Sequence, residues 1–138
     1  SVDEMQYSYR TSILKNRSEN AIVLLALLRL KNSSKEEVSA KIESFSERRK
    51  ATQPPGASMG SMFKNPAGDH AGRLIEAAGL KGTRIGNAEI STVHANFFVN
   101  HGETKASNVR ALIDLTQKKV FEKFGVHLEL EVELVGDW

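Results

Sequence analysis

Residues 109–134 read VRALIDLTQKKVFEKF, then Gly125, then VHLELEVEL, and the change of period at the glycine decides the fold class. Before it, Val109, Leu112, Ile113, Thr116, Val120 and Phe124 recur at helical spacing and make one apolar stripe. After it, Val126, Leu128, Leu130, Val132 and Leu134 alternate with His127, Glu129, Glu131 and Glu133, the period of a strand with one buried face. A long helix running into an alternating strand, with shorter elements upstream, predicts an α+β fold: a small mixed sheet with helices packed on it. The three glutamates share the strand's other face. Neighbours of one sign disfavour full ionisation, so a partly enclosed member keeps a proton or needs a cationic partner, while solvated members need neither.

Working outward, Asp69 can cap a short helix whose apolar stripe is Ala71, Leu74, Ile75 and Ala78, with Gly79 as its C-terminal turn and Leu80-Lys81-Gly82 as a tight connection. Arg84 to Ile90 and His94 to Val99 read as two strands. Further upstream, Ser34-Lys35-Glu36-Glu37 is a capping box, and Val38, Ile42 and Phe45 follow at helical spacing, predicting a helix to about Lys50. Arg48, Arg49 and Lys50 suit the negative end of its dipole. The apolar run Ala21 to Leu28, entered through the turn residues Asn16-Arg17-Ser18, predicts a strand buried on both faces whose sheet partners lie upstream of Ser1. Gln53-Pro54-Pro55-Gly56 stops the helix and stiffens the chain, which places a domain boundary between residues 1–52 and 53–138.

Composition narrows the function classes. The chain has 138 residues, 19 basic and 17 acidic, for a net charge of +2, which provides no strong field for DNA or a membrane surface. It has no cysteine, so disulfides, thiolate metal sites and cysteine nucleophiles are excluded, and a reducing compartment suits it. Ser1-Val2-Asp3-Glu4 lacks the features of a signal peptide, and the longest apolar run is too short to span a bilayer, so a soluble protein is expected. His70, His94, His101 and His127 do not stand at metal-ligand spacing, and neither a Walker loop nor a dinucleotide fingerprint occurs.

Chemistry concentrates in Ser58-Met59-Gly60-Ser61-Met62-Phe63-Lys64-Asn65-Pro66, a segment punctuated by glycine and proline that either satisfies its own backbone or presents a hydroxyl, an ammonium and an amide to a ligand. Lys81, at its turn, is either solvated or a phosphate ligand. Two readings of another kind compete: a stand-alone nucleotide- or RNA-binding module with Lys64, Arg73, Lys81 and Arg84 as a basic face, and a purely structural interaction domain.

Six blocks, in order, add a resemblance. Tyr9-Arg10-Thr11-Ser12, Gly60-Ser61-Met62-Phe63-Lys64-Asn65-Pro66, Ala71-Gly72-Arg73-Leu74-Ile75-Glu76, Gly79-Leu80-Lys81-Gly82, His94-Ala95-Asn96-Phe97 and Leu128-Glu129-Leu130-Glu131-Val132 resemble the UDP-N-acetylenolpyruvoylglucosamine reductases, in their shorter, second type. The family's glycine-rich FAD-holding half has no counterpart here, so the resemblance implies the end of the FAD-binding region followed by the substrate-binding domain. It also implies NADPH-driven, FAD-dependent reduction of the enolpyruvyl ether of UDP-N-acetylglucosamine to UDP-N-acetylmuramate, a cytoplasmic step of peptidoglycan synthesis. The intact enzyme is expected to be monomeric, with no nucleic acid or membrane partner, and this chain alone to be inactive. By resemblance Ser61 is the proton donor, Arg10 and Glu131 stabilise the enolate-like intermediate, and Asn65, Lys81 and His94 contact the UDP-sugar. Leu130 stands where the family often has proline, Glu133 where it often has a basic residue, and Thr52 where lysine is frequent.

Overall fold

The computed structural model describes residues 2–16 and 21–136, so Arg17 and Ser18 of the expected turn lie outside the described residues. The chain divides into two compact units, Ser1–Lys41 and Ile42–Trp138, with the division inside the first helix.

In the first unit, Ser8 and Thr11 exchange backbone hydrogen bonds of 3.2 Å in each direction, which closes a tight turn with Tyr9 and Arg10 at its centre. Arg10 takes φ of 56°, a left-handed conformation that non-glycine residues seldom hold. Its guanidinium lies over the Tyr9 ring, 5.7 Å from the centroid. The strand expected over Ala21 to Leu28 does not form: this segment has neither helix nor strand, and Leu24 and Leu27 are 91% and 96% exposed. A strand is made by the neighbour that accepts its ladder, and none of the described residues pairs with this one.

Helix α1, Lys35–Thr52, begins as its capping box requires, with the Glu37 amide donating to Ser34 Oγ at 3.1 Å. The reciprocal half is replaced, because Ser33 Oγ donates to the Glu37 carboxylate at 2.5 Å. The helix buries no residue, and Val38, Ile42 and Phe45 of its apolar stripe are exposed.

The second unit holds the core. Its elements are β1 (Ala57–Ser61), α2 (Ala71–Ala77), β2 (Arg84–Ile85), β3 (Ala88–Ile90), β4 (Phe97–Asn100) and α3 (Ala106–Phe124). The α+β class holds, but the sheet, ordered β1-β4-β3-β2, is antiparallel at every pairing where a mixed sheet was expected. Short connections explain this, since parallel neighbours need a long crossover. α3 packs on β2, β3 and α2, with Leu112, Ile113, Thr116 and Val120 buried as their spacing predicts. Leu112, Ile113 and Val120 meet Met62, Phe63, Leu74, Ile75 and Ile90 in one core cluster.

Two expected strands are shorter than the sequence suggests. Residues 84–90 fold back on themselves, because Gly86 takes φ of 57° at the first central position of a two-residue turn, and Ile85 pairs with Ala88. The segment 126–134 makes one bridge, Leu130 to Phe63, flanked by the Lys64 amide donating to Glu129 O at 2.8 Å and the Glu131 amide donating to Met62 O at 2.9 Å. The alternation nevertheless holds in part: Leu128 is buried, and Glu129 and Glu133 are exposed, whereas Glu131 is half-buried.

Candidate active site

Ser61 ends β1 just after an irregularity in the ladder. Ser58 pairs with Val99 but Ser61 with Phe97, so three steps along β1 face two along β4. Gly60 absorbs the extra residue at φ of 80°. A bulge of this kind turns the following side chain out of the regular alternation, and bulges recur beside active sites for that reason.

Beyond Ser61 the chain is held by one buried amide. Asn96 Oδ1 accepts from the Phe63 amide at 2.9 Å, Asn96 Nδ2 donates to Phe63 O at 2.8 Å, and Asn96 O accepts from the Met62 amide at 2.8 Å. Asn96→Ala leaves both Phe63 backbone groups buried without partners, an expected loss of about 3 kcal/mol. Thermal unfolding of the domain should move down by roughly 10 to 20 °C. Asn96→Asp keeps the acceptor for the Phe63 amide but sets a buried carboxylate oxygen against Phe63 O, so it should not restore the loss, and equal melting of both variants and wild type would dismiss the clamp.

The Asn96 backbone N–H donates to His94 Nδ1 at 3.2 Å, so the neutral imidazole carries its proton on Nε2. The ring sits edge-on to Phe97 at 4.9 Å. It also lies against Gly72 of α2, where a β-carbon would come within 2.9 Å of His94 Cε1, so the glycine is required by this close approach. Asn65 is likewise committed to α2: its Oδ1 accepts from the Ala71 amide at 3.0 Å and so caps the helix. Asp69, expected to cap it, instead accepts from the His70 amide at 2.6 Å and from Arg73 Nε at 2.7 Å, with a second Asp69–Arg73 contact through Nη2.

Arg73 is the main reason that the Asp69 carboxyl falls from 3.8 to about 2, with the His70 amide adding to it. Because the folded value is depressed, the pair's contribution is present above the ordinary carboxylate value and is lost as pH falls towards 2. The Arg73 Nε–H resonance should therefore stay fixed down to about pH 4 and move between pH 4 and 2. A midpoint at 3.8 would show that the pair does not hold in solution.

These elements enclose an open cleft of about 340 Å³ whose lining includes Ser61, Asn65, His70, Arg73, His94 and Asn96. Three of the six residues expected at the site, Ser61, Asn65 and His94, thus share it. Lys81 is linked to it through Glu76, which lines the cleft and lies 2.8 Å from Lys81 Nζ. Glu131 is tied by its backbone to Met62, the neighbour of Ser61, while Arg10 belongs to the other unit. His70, Arg73, Glu76 and Asn96 were not expected here.

The rival basic face is also accounted for. Lys64 pairs with Glu129 at 3.0 Å, Arg84 with Glu89 at 3.4 Å, Lys81 with Glu76 at 2.8 Å, and Arg73 with Asp69. Four cations already paired make a poor polyanion surface. Among the described residues, no group of three or more side chains suits a metal ion, and no helix is long and apolar enough to cross a membrane.

Residues 51–135 match the family model described as UDP-N-acetylenolpyruvoylglucosamine reductase, C-terminal domain. The chain belongs to this reductase family. It is 49% identical to the UDP-N-acetylenolpyruvoylglucosamine reductase of Chloroflexus aurantiacus over 98% of this chain and 46% of that protein. A reductase of the same name from Bacillus licheniformis is 43% identical over 98% of this chain and 73% of its own length. The crystal structure of UDP-N-acetylenolpyruvylglucosamine reductase from Thermus caldophilus matches with a TM-score of 0.77 and 41% identity, over 95% of this chain and 46% of that one. The chain therefore spans less than half the length of the Chloroflexus and Thermus reductases.

Proposed function

We propose that the protein containing this chain reduces the enolpyruvyl ether of UDP-N-acetylglucosamine to UDP-N-acetylmuramate in the cytoplasm, for peptidoglycan synthesis, with residues 53–138 as the substrate-binding domain and 1–52 as the end of the FAD-binding region. What carries this reading is the convergence of Ser61, Asn65 and His94 on one cleft. The donor set suits a sugar nucleotide: a hydroxyl, a side-chain amide and an imidazole fit sugar and carbonyl groups, and Lys81 suits phosphate.

The FAD implied by the family does not fit the cleft wall. A flavin needs backbone N–H groups cradling its pyrophosphate, whereas the glycine of the cleft wall, Gly72, is filled against by His94. We assign the flavin to the part of the relatives that this chain does not span. The residues present act on the carbon and carboxylate of the substrate. Addition of hydride builds negative charge on a conjugated carboxylate; Arg10 and Glu131 are assigned to stabilising the intermediate, and Ser61 Oγ gives its proton to the carbanionic carbon. Serine is a weak acid, so its proton must move as charge develops and be replaced afterwards.

Titrating the chain with UDP-N-acetylglucosamine should shift the amide resonances of Ser61, Asn65, Lys81 and His94, and the purified chain should be colourless. Shifts confined to Lys64 and Arg84 on adding RNA, with none for the UDP-sugar, would replace this reading by the nucleic-acid one, and stoichiometric yellow flavin would refute the assignment of the cofactor elsewhere.

A further inference from the structure

A second cavity, of about 230 Å³, opens beside β1, an edge strand of the sheet, and shares no lining residue with the cleft. Ala57 and Met59 of β1, Phe98 and Val99 of β4 and Val109 of α3 supply its apolar wall. Phe98 belongs to the core cluster and Val109 packs against it, whereas Met59 is 60% exposed, so the cavity leads from the surface to the core. α3 packs chiefly on β2 and β3, and β1 stands at the opposite edge from β2.

Thr104, between β4 and α3, also lines the cavity, and its Oγ1 is shielded from water with no hydrogen-bond partner among the described residues. The backbone around it is fixed. The Gly102 amide donates to Asn100 Oδ1 and Asn87 Nδ2 donates to Gly102 O, both at 2.8 Å, and Glu103 holds φ of 52°. On the other side, the Lys105 amide donates to Asn108 Oδ1 at 3.3 Å, in the first turn of α3. The loop thus holds the hydroxyl at the cavity, where leaving it unpaired is costly and supplying a partner is favourable. A water molecule suits this place poorly: it wants roughly two to four polar partners, and the wall is mostly hydrocarbon, with Asn100 Oδ1 already engaged.

We propose that this cavity is a binding site for a small, mainly apolar molecule bearing a single hydroxyl, a phenol in size and kind, whose oxygen pairs with Thr104 Oγ1 while its hydrocarbon part covers Phe98, Val99 and Val109. The volume is sufficient, since an apolar cavity of about 150 Å³ holds a benzene ring. The wall favours hydrocarbon and the hydroxyl supplies what Thr104 lacks, so the ligand must carry both. A charged ligand is turned away, because no residue of the wall carries a charge to meet it. The site is independent of the reading of the cleft as a substrate site.

The test is an NMR titration of the whole chain with phenol and with toluene, which has nearly the same shape without the hydroxyl, using wild type, Thr104→Val, Thr104→Ser and Ala57→Phe. Both probes should shift the methyl resonances of Val99, Thr104 and Val109 and leave the amides of Asn65 and His94 in place. The ratio of phenol to toluene affinity should fall roughly 3- to 10-fold in Thr104→Val, the size of one net hydrogen bond between neutral groups, and stay at the wild-type value in Thr104→Ser. Ala57→Phe, at an exposed position of β1, should fill the cavity and abolish both sets of shifts. Without ligand, Thr104→Val should melt no lower than wild type, because it deletes a hydroxyl that has no partner. A clear drop in its melting temperature would show that the hydroxyl is already paired and would overturn the proposal. So would an unchanged affinity ratio in Thr104→Val, shifts centred on the cleft, or no shift with either probe at millimolar concentration.

Discussion

In a complete reductase carrying this chain, Ser61→Ala is expected to slow reduction of the enolpyruvyl substrate by roughly 10²- to 10⁴-fold, the range for losing a positioned general acid. Oxidation of NADPH in the absence of substrate should continue at the wild-type rate, because the serine is assigned to a later step. The expectation rests on placement: the β1 irregularity and Gly60 deliver Ser61 into the cleft, and the Asn96 clamp holds the two residues that follow it. Alanine disturbs none of these, since it lacks only the hydroxyl, so a loss of rate would report proton transfer rather than folding. Ser61→Cys should recover part of the rate, because a thiol also donates a proton. Single-turnover measurements separate the two halves of the cycle. Wild-type substrate reduction by Ser61→Ala would remove the residue from the mechanism, whatever its position.

What could be read from the sequence depended on whether the signal was local. The stripe of α3 and the Schellman end of α2 are written within a few residues of themselves and were found with nearly correct limits. The Gly86-Asn87 turn is also local, a glycine-first pair between apolar residues, and could have been read; the β-rich run on both sides hid it. Other features are not local at all. Asn96 clamps Phe63 across 33 residues, and nothing around either position marks the partnership. Asn65 caps α2 from six residues away, so Asp69, next to the helix, looked like the cap. Ala21 to Leu28 failed for the converse reason, because high apolarity expresses a need for burial without supplying the neighbour that provides it. The cleft itself was half legible: the motif residues Ser61, Asn65 and His94 were named, whereas Arg73 and Glu76 read as the polar face of an ordinary amphipathic helix.

The three glutamates of 129–133 should behave unequally in the same complete reductase. Alternation makes them look equivalent, but the fold does not treat them alike. Glu129 is paired with Lys64 at 3.0 Å with its side chain 75% exposed, and Glu133 is exposed as well. Glu131 is half-buried, and its backbone is joined to Met62 by a 2.9 Å hydrogen bond, one residue from Ser61. Fixing the main chain there limits how far its carboxyl can move from the reacting centre, the preorganisation that makes a charge-stabilising group effective. Glu131→Ala should therefore cost about 3 kcal/mol in the substrate half-reaction, roughly 10²-fold, by analogy with removal of one oxyanion donor. Glu131→Gln retains the shape of the side chain and its hydrogen-bonding capacity, so its rate should fall less. Glu129→Gln releases Lys64 from an exposed pair, and Glu133→Gln removes a solvated charge; both should stay near wild type. Equal, small losses in all three glutamine variants would mean that the segment is a uniform solvated face. Glu131 would then hold no special place in the chemistry, and stabilisation of the intermediate would fall to Arg10 and Ser61.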